Sequence, residues 1–305
     1  MRGPAIIGAF LLVLTSAARA QFPSWYLPHN QVQPTVTSAV SLDPATGDFL
    51  YVYTVANGAG AQQRLAELYM DLKTQISSAT APTDWEVLAD PAGGTVVWGA
   101  SGPVDPAWTE LHPLDPPSHA SEIAPGATRT GFSLRSPCAG TGPVTFFARG
   151  YNHEAQPPQT DANADSAPAV PQWRTDAVSG QTLGPGDCST VRDWGNRRPG
   201  VDGFLGVVNF ASGDALPGGV PVTVQVRFSR SGETVLPATF HAVLNSQDVT
   251  AQFVTNSRGD RVAVFPPGAA PLKSGRNVLL LSVDGIVPGT THQATDSDRF
   301  LFTLP

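Results

Sequence analysis

Asp48-Phe49-Leu50-Tyr51-Val52-Tyr53-Thr54-Val55 alternates residue by residue, with Phe49, Tyr51, Tyr53 and Val55 on one side, and it runs into the turn pair Asn57-Gly58. A period of two, aromatic and β-branched content and a terminal Asn-Gly describe a half-buried strand entering a hairpin. Similar short runs surround it. Ala39 to Leu42 precedes it, and Trp85 to Leu88, Thr95 to Ala100, Ala127 to Leu134 and Val144 to Gly150 follow, separated by Gly/Pro turns. Gln63 to Leu72 is the one ambiguous run: Leu65, Leu68 and Leu72 have helical spacing, yet no clean polar face completes a helix, and a strand over Leu65 to Leu72 fits beside the hairpin. Short strands at this spacing predict a β-sandwich.

The composition agrees. Thirty glycines and 29 prolines among 305 residues argue against an all-helical chain, and without a Gly-X-Y period or extreme enrichment they do not describe collagen or a disordered polymer. The length suggests about two domains. Residues 1–20 read as a secretory signal peptide: Arg2, the apolar stretch Ala5 to Leu14, and Ala18-Arg19-Ala20 as a cleavage site after Ala20. That apolar stretch is too short to span a bilayer. The expectation is a secreted or periplasmic chain without membrane insertion. Losing Arg2 and Arg19 moves the formal charge from −7 to −9, which disfavours nucleic acid and anionic lipid as partners.

Two cysteines, Cys138 and Cys188, both lie in the exported part, and in an oxidising compartment an even pair reads as one disulfide. Neither stands in a Cys-x-x-Cys or beside a histidine. Closing fifty residue steps stabilises by up to about 4 kcal/mol on the chain-entropy model.

The domain reading is 21–34 extended, 35–152 a β-sandwich, 153–202 a linker rich in Pro, Gly and Asp and tethered by the disulfide, and 203–305 a second sandwich. The last section holds seven strand candidates in about a hundred residues, the immunoglobulin-like number. In Arg299 to Leu304 the alternation places Phe300 and Phe302 on one face, the core.

Two resemblances accompany this reading. The succession Tyr51-x-Tyr53-x-Val55-x-Asn57, Asp84-Trp85, Val97-Trp98, Ile123-x-Pro125-Gly126-Ala127, Gly131-Phe132-Ser133-Leu134-x-Ser136 and Gly142-Pro143-Val144 resembles a β-sandwich domain that recurs in exported bacterial proteins. It implies a fold and export, and no reaction. Ala242-Val243-Leu244-Asn245, Asp248-Val249-Thr250, Leu272-x-x-Gly275-x-Asn277-x-Leu279 and Ala294-Thr295-Asp296-x-Asp298-x-Phe300-x-Phe302 resemble the Ig-like domains of such proteins, a module that implies a spacer or binding role. The Cys-Trp-Cys signature of antibody domains is missing.

No catalytic motif emerges. Gly-x-Ser-x-Gly is absent, and His29, His112, His119, His153, His241 and His292 are scattered, with no second histidine at zinc-protease spacing after His153-Glu154. Calcium is the one cofactor the residues point to, since exported β proteins stiffen loops with a hard cation on oxygen ligands. Asp161-x-Asn163-x-Asp165 has the alternating oxygens of a calcium loop's first half, but Ser166 and Gln172 replace the glycine and the bidentate glutamate. Asp296-x-Asp298, just before the last strand, forms a second candidate if Asp284 is adjacent. Arg258-Gly259-Asp260 matches an integrin-recognition tripeptide but is accounted for by a hairpin turn. Trp108, Trp173 and Trp194 stand in Pro/Gly/Asp-rich surroundings and are candidates for a sugar-stacking platform, with loop packing as the alternative. The expected role is a non-catalytic binding or structural module, with carbohydrate or another surface protein as partner; the alternative is a hydrolase assembled at the domain junction.

Overall fold

A computed structural model describes residues 30–91, 94–103, 105, 119–140, 142–150, 177–195, 203–229, 234–287 and 289–305. The chain is all-β and builds two sandwiches.

In the first, β1 (Pro34–Leu42), β2 (Phe49–Asn57), β7 (Thr128–Ser136) and β4 (Ser78–Thr80) form one sheet in the order β1-β2-β7-β4. Its partner has the order β5-β6-β3-β8-β9, from β5 (Trp85–Asp90), β6 (Thr95–Ala100), β3 (Glu67–Asp71), β8 (Gly142–Arg149) and β9 (Val178–Gly184). The alternation in β2 sends Phe49, Tyr51, Tyr53 and Val55 inward, where they meet Leu68, Met70, Val96, Trp98 and Phe146 of the other sheet. Trp98 is fully buried, edge-on to Tyr53 and Phe132, and its indole N–H donates to the Thr80 carbonyl at 2.8 Å, satisfying its polar atom inside the core.

Two segments of this sandwich depart most from the sequence reading. Strand β1 begins at Pro34 rather than Ala39 and pairs along its whole length with β2, from Pro34↔Asn57 to Leu42↔Phe49. As an edge strand it buries little beyond Val36, so its Thr and Ser content hid it. Residues 178–184, assigned to the linker, are strand β9, the last strand of the first sandwich. Val-Ser-Gly-Gln-Thr-Leu-Gly lacks apolar alternation because neighbouring side chains fill the places of its own. A Cβ at Gly180 would lie 2.4 Å from the Phe146 ring, and one at Gly184 2.7 Å from Val144.

The second sandwich pairs the sheet β10-β12-β16-β15 with β11-β18-β17-β13-β14. Its strands are β10 (Leu205–Val207), β11 (Asp214–Ala215), β12 (Val222–Phe228), β13 (Thr234–Leu244), β14 (Gln247–Asp248), β15 (Val254–Thr255), β16 (Arg261–Phe265), β17 (Gly275–Ile286) and β18 (Gln293–Leu304). Taken in chain order as A, A′, B, C, C′, D, E, F and G, these sheets read A-B-E-D and A′-G-F-C-C′, the immunoglobulin arrangement. The parallel pair β11–β18 marks where the first strand crosses between sheets. Phe300 and Phe302 are buried in this core with Leu279, Leu281, Val224 and Phe265.

Candidate functional site: the junction of the two sandwiches

In β12, Val222, Val224 and Val226 face the immunoglobulin-like core, so Gln225 and Arg227 face outward; yet Gln225 is 0% and Arg227 8% exposed. The same holds in β16. Ala263 and Phe265 point inward, while Val262, on the other face, is fully buried and belongs to the core of the first sandwich. The outer face of the A-B-E-D sheet is therefore covered by the first sandwich.

Polar groups on that covered face are matched one by one. The Ala139 N–H donates to Gln225 Oε1 at 2.7 Å, and Gln225 Nε2 donates to the Pro137 carbonyl at 3.2 Å and to Asp260 Oδ2 at 2.6 Å. Arg227 holds the same carboxylate in a fork, Nε to Oδ1 at 3.0 Å and Nη2 to Oδ2 at 2.9 Å. Asn256 closes its own turn by accepting from the Arg258 and Asp260 N–H groups, and its Nδ2 donates to the Pro137 carbonyl at 2.7 Å. From the first sandwich, Asp48 accepts from the Ser77 hydroxyl at 2.6 Å and from the Ser257 N–H at 3.0 Å. Gly47, with φ +67°, lies so close that a Cβ there would stand 2.4 Å from the Thr255 carbonyl oxygen.

The disulfide sits at the same place. Cys138 and Cys188 are joined and fully buried, and with Val208 of the second sandwich and Val191 they form a small apolar cluster between the two large cores. Thr74 donates to the Gly186 carbonyl at 3.1 Å, and Tyr51 donates from the first core to the Gly140 carbonyl at 2.7 Å. Burial pushes the phenols of Tyr51 and Tyr53 up. The Ser189 hydroxyl and N–H hold the Asp187 carboxyl below the usual carboxylate range, helped by Arg258 and Arg227.

The remaining candidates fall elsewhere. Asp296 and Asp298 face inward on β18, and Asp296 Oδ2 accepts from the Phe204 N–H at 2.9 Å and the Leu205 N–H at 3.2 Å, fixing the entry of the chain into the second sandwich. Asp298 lies against Gly195, where a Cβ would stand 2.1 Å from its carboxyl carbon. Asp284 is on the opposite face: it pairs with Thr295, whose hydroxyl donates to it. Strand parity thus separates Asp284 from Asp296 and Asp298, and the calcium triad expected of these three does not assemble. Among the described residues, no group of three His, Cys, Asp or Glu side chains is placed to hold a metal. Asp161, Asn163, Asp165, Trp108 and Trp173 lie outside the described residues. Trp194 is half-buried, with its ring over Gly206. Arg258-Gly259-Asp260 forms the turn expected of it, and the Asp260 carboxylate is 1% exposed.

Nor do the described histidines reach the junction. His119 contacts the Gly102 carbonyl, His241 lies 3.3 Å from Asp248 on an exposed hairpin, and His292 is exposed. A surface cleft of about 400 Å³ lies beside the junction; Phe228, Thr234, Val235, Pro237 and Arg258 line it together with Asp260, itself only 1% exposed. The residues that carry the junction, Gln225, Arg227, Asn256 and Asp260, were not singled out as a site from sequence. A polar residue at every second position of β12 reads as a solvated face, and nothing local tells solvent from a second domain.

No family model matches the chain, and no curated protein matches it. Solved structures to which it is similar include the titin domains Z1Z2 in complex with telethonin, at 8% identity over 92% of this chain and 99% of that one, with a TM-score of 0.20. The fibronectin(III)-like modules of Clostridium thermocellum CbhA match at 6% identity over 89% and 95%, TM-score 0.20. The serine-rich repeat protein Srr2 of Streptococcus agalactiae matches at 8% identity over 88% and 93%, TM-score 0.21. At such scores these likenesses carry no argument, and the immunoglobulin-like assignment of the second sandwich rests on its strand order.

Proposed function

We propose that the chain is an exported, non-catalytic binding or structural module whose two sandwiches act as one rigid body. One observation carries this reading: the polar face of the immunoglobulin-like sheet is buried against the first sandwich, with Gln225 and Asn256 bonded across to Ala139 and Pro137 and with Arg227 and Asp260 bracing them from within the second sandwich. Groups fixed in mutual hydrogen bonds and closed to solvent are poor general acids, bases or nucleophiles, because a substrate cannot reach them. Export is supported by the signal-like residues 1–20 and by a disulfide in an otherwise cysteine-free chain.

The partner class we favour is carbohydrate or another surface protein. A glycan array with the mature chain and a Trp173→Ala variant tests the first. Binding that ignores the substitution removes Trp173 as a platform, and the absence of any glycan binding leaves the protein partner. Export is tested by expressing the full chain in a bacterial host and sequencing the N-terminus of the recovered protein. A start at Gln21 is expected, and cytoplasmic protein that keeps residues 1–20 contradicts export.

A further inference from the structure

Strand β5 ends the five-stranded sheet of the first sandwich, with β6 as its ladder neighbour. Just before it, the Ser101 N–H donates to the Asp84 carbonyl at 2.8 Å, in the same register as Trp85↔Ala100. In an antiparallel pair the bonded positions alternate, so Glu86, Leu88 and Asp90 bond to β6. The N–H and C=O groups of Val87 and Ala89 therefore point away from the sheet, as does the Trp85 N–H, which turns back to the Pro82 carbonyl at 3.1 Å. Among the described residues no strand or loop takes up that edge.

Side chains on β5 divide the same way. Val87 and Ala89 pack on the core, while Glu86, Leu88 and Asp90 stand on the outer face, all exposed. Leu88 is 75% exposed, more than any other large hydrophobic residue described. Sheet edges are ordinarily blunted by proline, a bulge or charged side chains, lysine above all. Strand β5 has no proline, lysine or bulge over its six residues; its charges are two carboxylates astride an exposed leucine, which oppose an acidic strand and admit a basic one.

We infer that β5 is a docking edge for an extended, basic peptide segment of another protein, added as an antiparallel sixth strand. Such a segment forms four backbone hydrogen bonds, two at Val87 and two at Ala89. Its side chains follow the pleat. An apolar residue lies beside Leu88, basic residues lie beside Glu86 and Asp90, and the two between are apolar and extend the core past Val87 and Ala89. The pattern is basic-apolar-apolar-apolar-basic. A second copy of β5 fits badly: paired about Leu88 with the same face outward, it sets Glu86 against Asp90, like charge on like charge, and paired about Val87 it sets Glu86 against Leu88. The chain's net charge of −7 adds long-range attraction for a basic segment. The inference rests on the proposed role as an interaction module and names a partner class for it.

A fluorescein-labelled peptide containing Lys-Val-Val-Val-Arg, titrated with the full chain and read by anisotropy, tests the contact. Saturable binding is expected, with loss of about tenfold or more for a peptide carrying Glu at both basic positions. Val87→Pro removes one outward N–H and leaves the ladder to β6 intact, and Val87→Ala trims the same core packing while keeping that N–H; peptide binding is expected to fall by about tenfold or more in Val87→Pro and to persist in Val87→Ala, with far-UV circular dichroism showing both folded. Glu86→Lys with Asp90→Lys reverses the preference toward the acidic peptide. Absence of saturable binding, equal binding of both peptides, or indifference to Val87→Pro overturns the inference. So does sedimentation showing a dimer that Val87→Pro abolishes. Glycan binding that survives in Val87→Pro keeps the broader module reading apart from this one.

Discussion

Replacing Asp260 by alanine removes a carboxylate that is 1% exposed and receives three hydrogen bonds, two from the Arg227 guanidinium and one from Gln225. Arg227, whose side chain is 9% exposed, then keeps only the Ser189 carbonyl, at 3.2 Å, among its hydrogen-bond partners described here. A charge left buried without its counter-ion costs about 3–5 kcal/mol, and the residual exposure of Arg227 places this case near 3. The paired change Arg227→Met with Asp260→Leu strands no charge and fills similar volume, so it is expected to recover most of the loss. Gln225 keeps the Pro137 carbonyl and the Ala139 N–H in both variants. Urea unfolding followed by fluorescence, with Trp85 and Trp98 reporting from the first sandwich, and by far-UV circular dichroism measures both variants. A loss below about 1 kcal/mol for Asp260→Ala, or a double variant no better than the single one, refutes the claim that this ion pair is buried at a closed junction.

Three further outcomes follow from the same geometry. Cys138→Ala with Cys188→Ala is expected to cost up to about 4 kcal/mol through the entropy of the unfolded chain; unchanged denaturation midpoints contradict the disulfide as a stabilising pin. Trp98→Ala removes the largest side chain of the first core and is expected to cost about 3–5 kcal/mol, while a loss under 1 kcal/mol in urea denies its central place. For Tyr51 and Tyr53 the folded state holds the phenolic protons more tightly than the unfolded chain, whose tyrosines titrate near pH 10. Their contribution is complete below about pH 10 and declines as pH rises above it, because the unfolded state releases its protons first. Phenolate absorbance should rise together with the loss of secondary structure, and full ionisation of all five tyrosines in a chain still folded contradicts this.

Much of the fold was legible because single strands announce themselves. Phe49, Tyr51, Tyr53 and Val55 in β2 and Phe300 and Phe302 in β18 put aromatic and branched side chains on every second position, and all six are buried while Leu50, Val52, Thr54 and Leu301 between them are only half-buried. Cys138 and Cys188 were legible by count. Strand β9 was hidden because Gly180 and Gly184 yield their places to Phe146 and Val144, so its packing partners lie in another strand. Asp284, Asp296 and Asp298 looked like one cluster because a sequence shows spacing but not which strand faces which; Asp284 and Asp296 fall on opposite faces of adjacent strands. The junction was least visible. Gln225 and Arg227 occupy positions where an isolated immunoglobulin sheet meets water; Pro137 and Ala139 of the first sandwich meet Gln225, and the Ser189 carbonyl meets Arg227, which makes both interior.

Residual dipolar couplings of the full chain in dilute alignment medium test the closed junction most directly. Amides of β2, β3, β6 and β8 in the first sandwich and of β12, β16, β17 and β18 in the second are expected to fit a single alignment tensor. Gly47→Ala, which drives a Cβ into the Thr255 carbonyl, should separate the two sets. Two distinct tensors of different magnitude in the unaltered chain would mean that the sandwiches move independently, and the rigid-body account would be wrong.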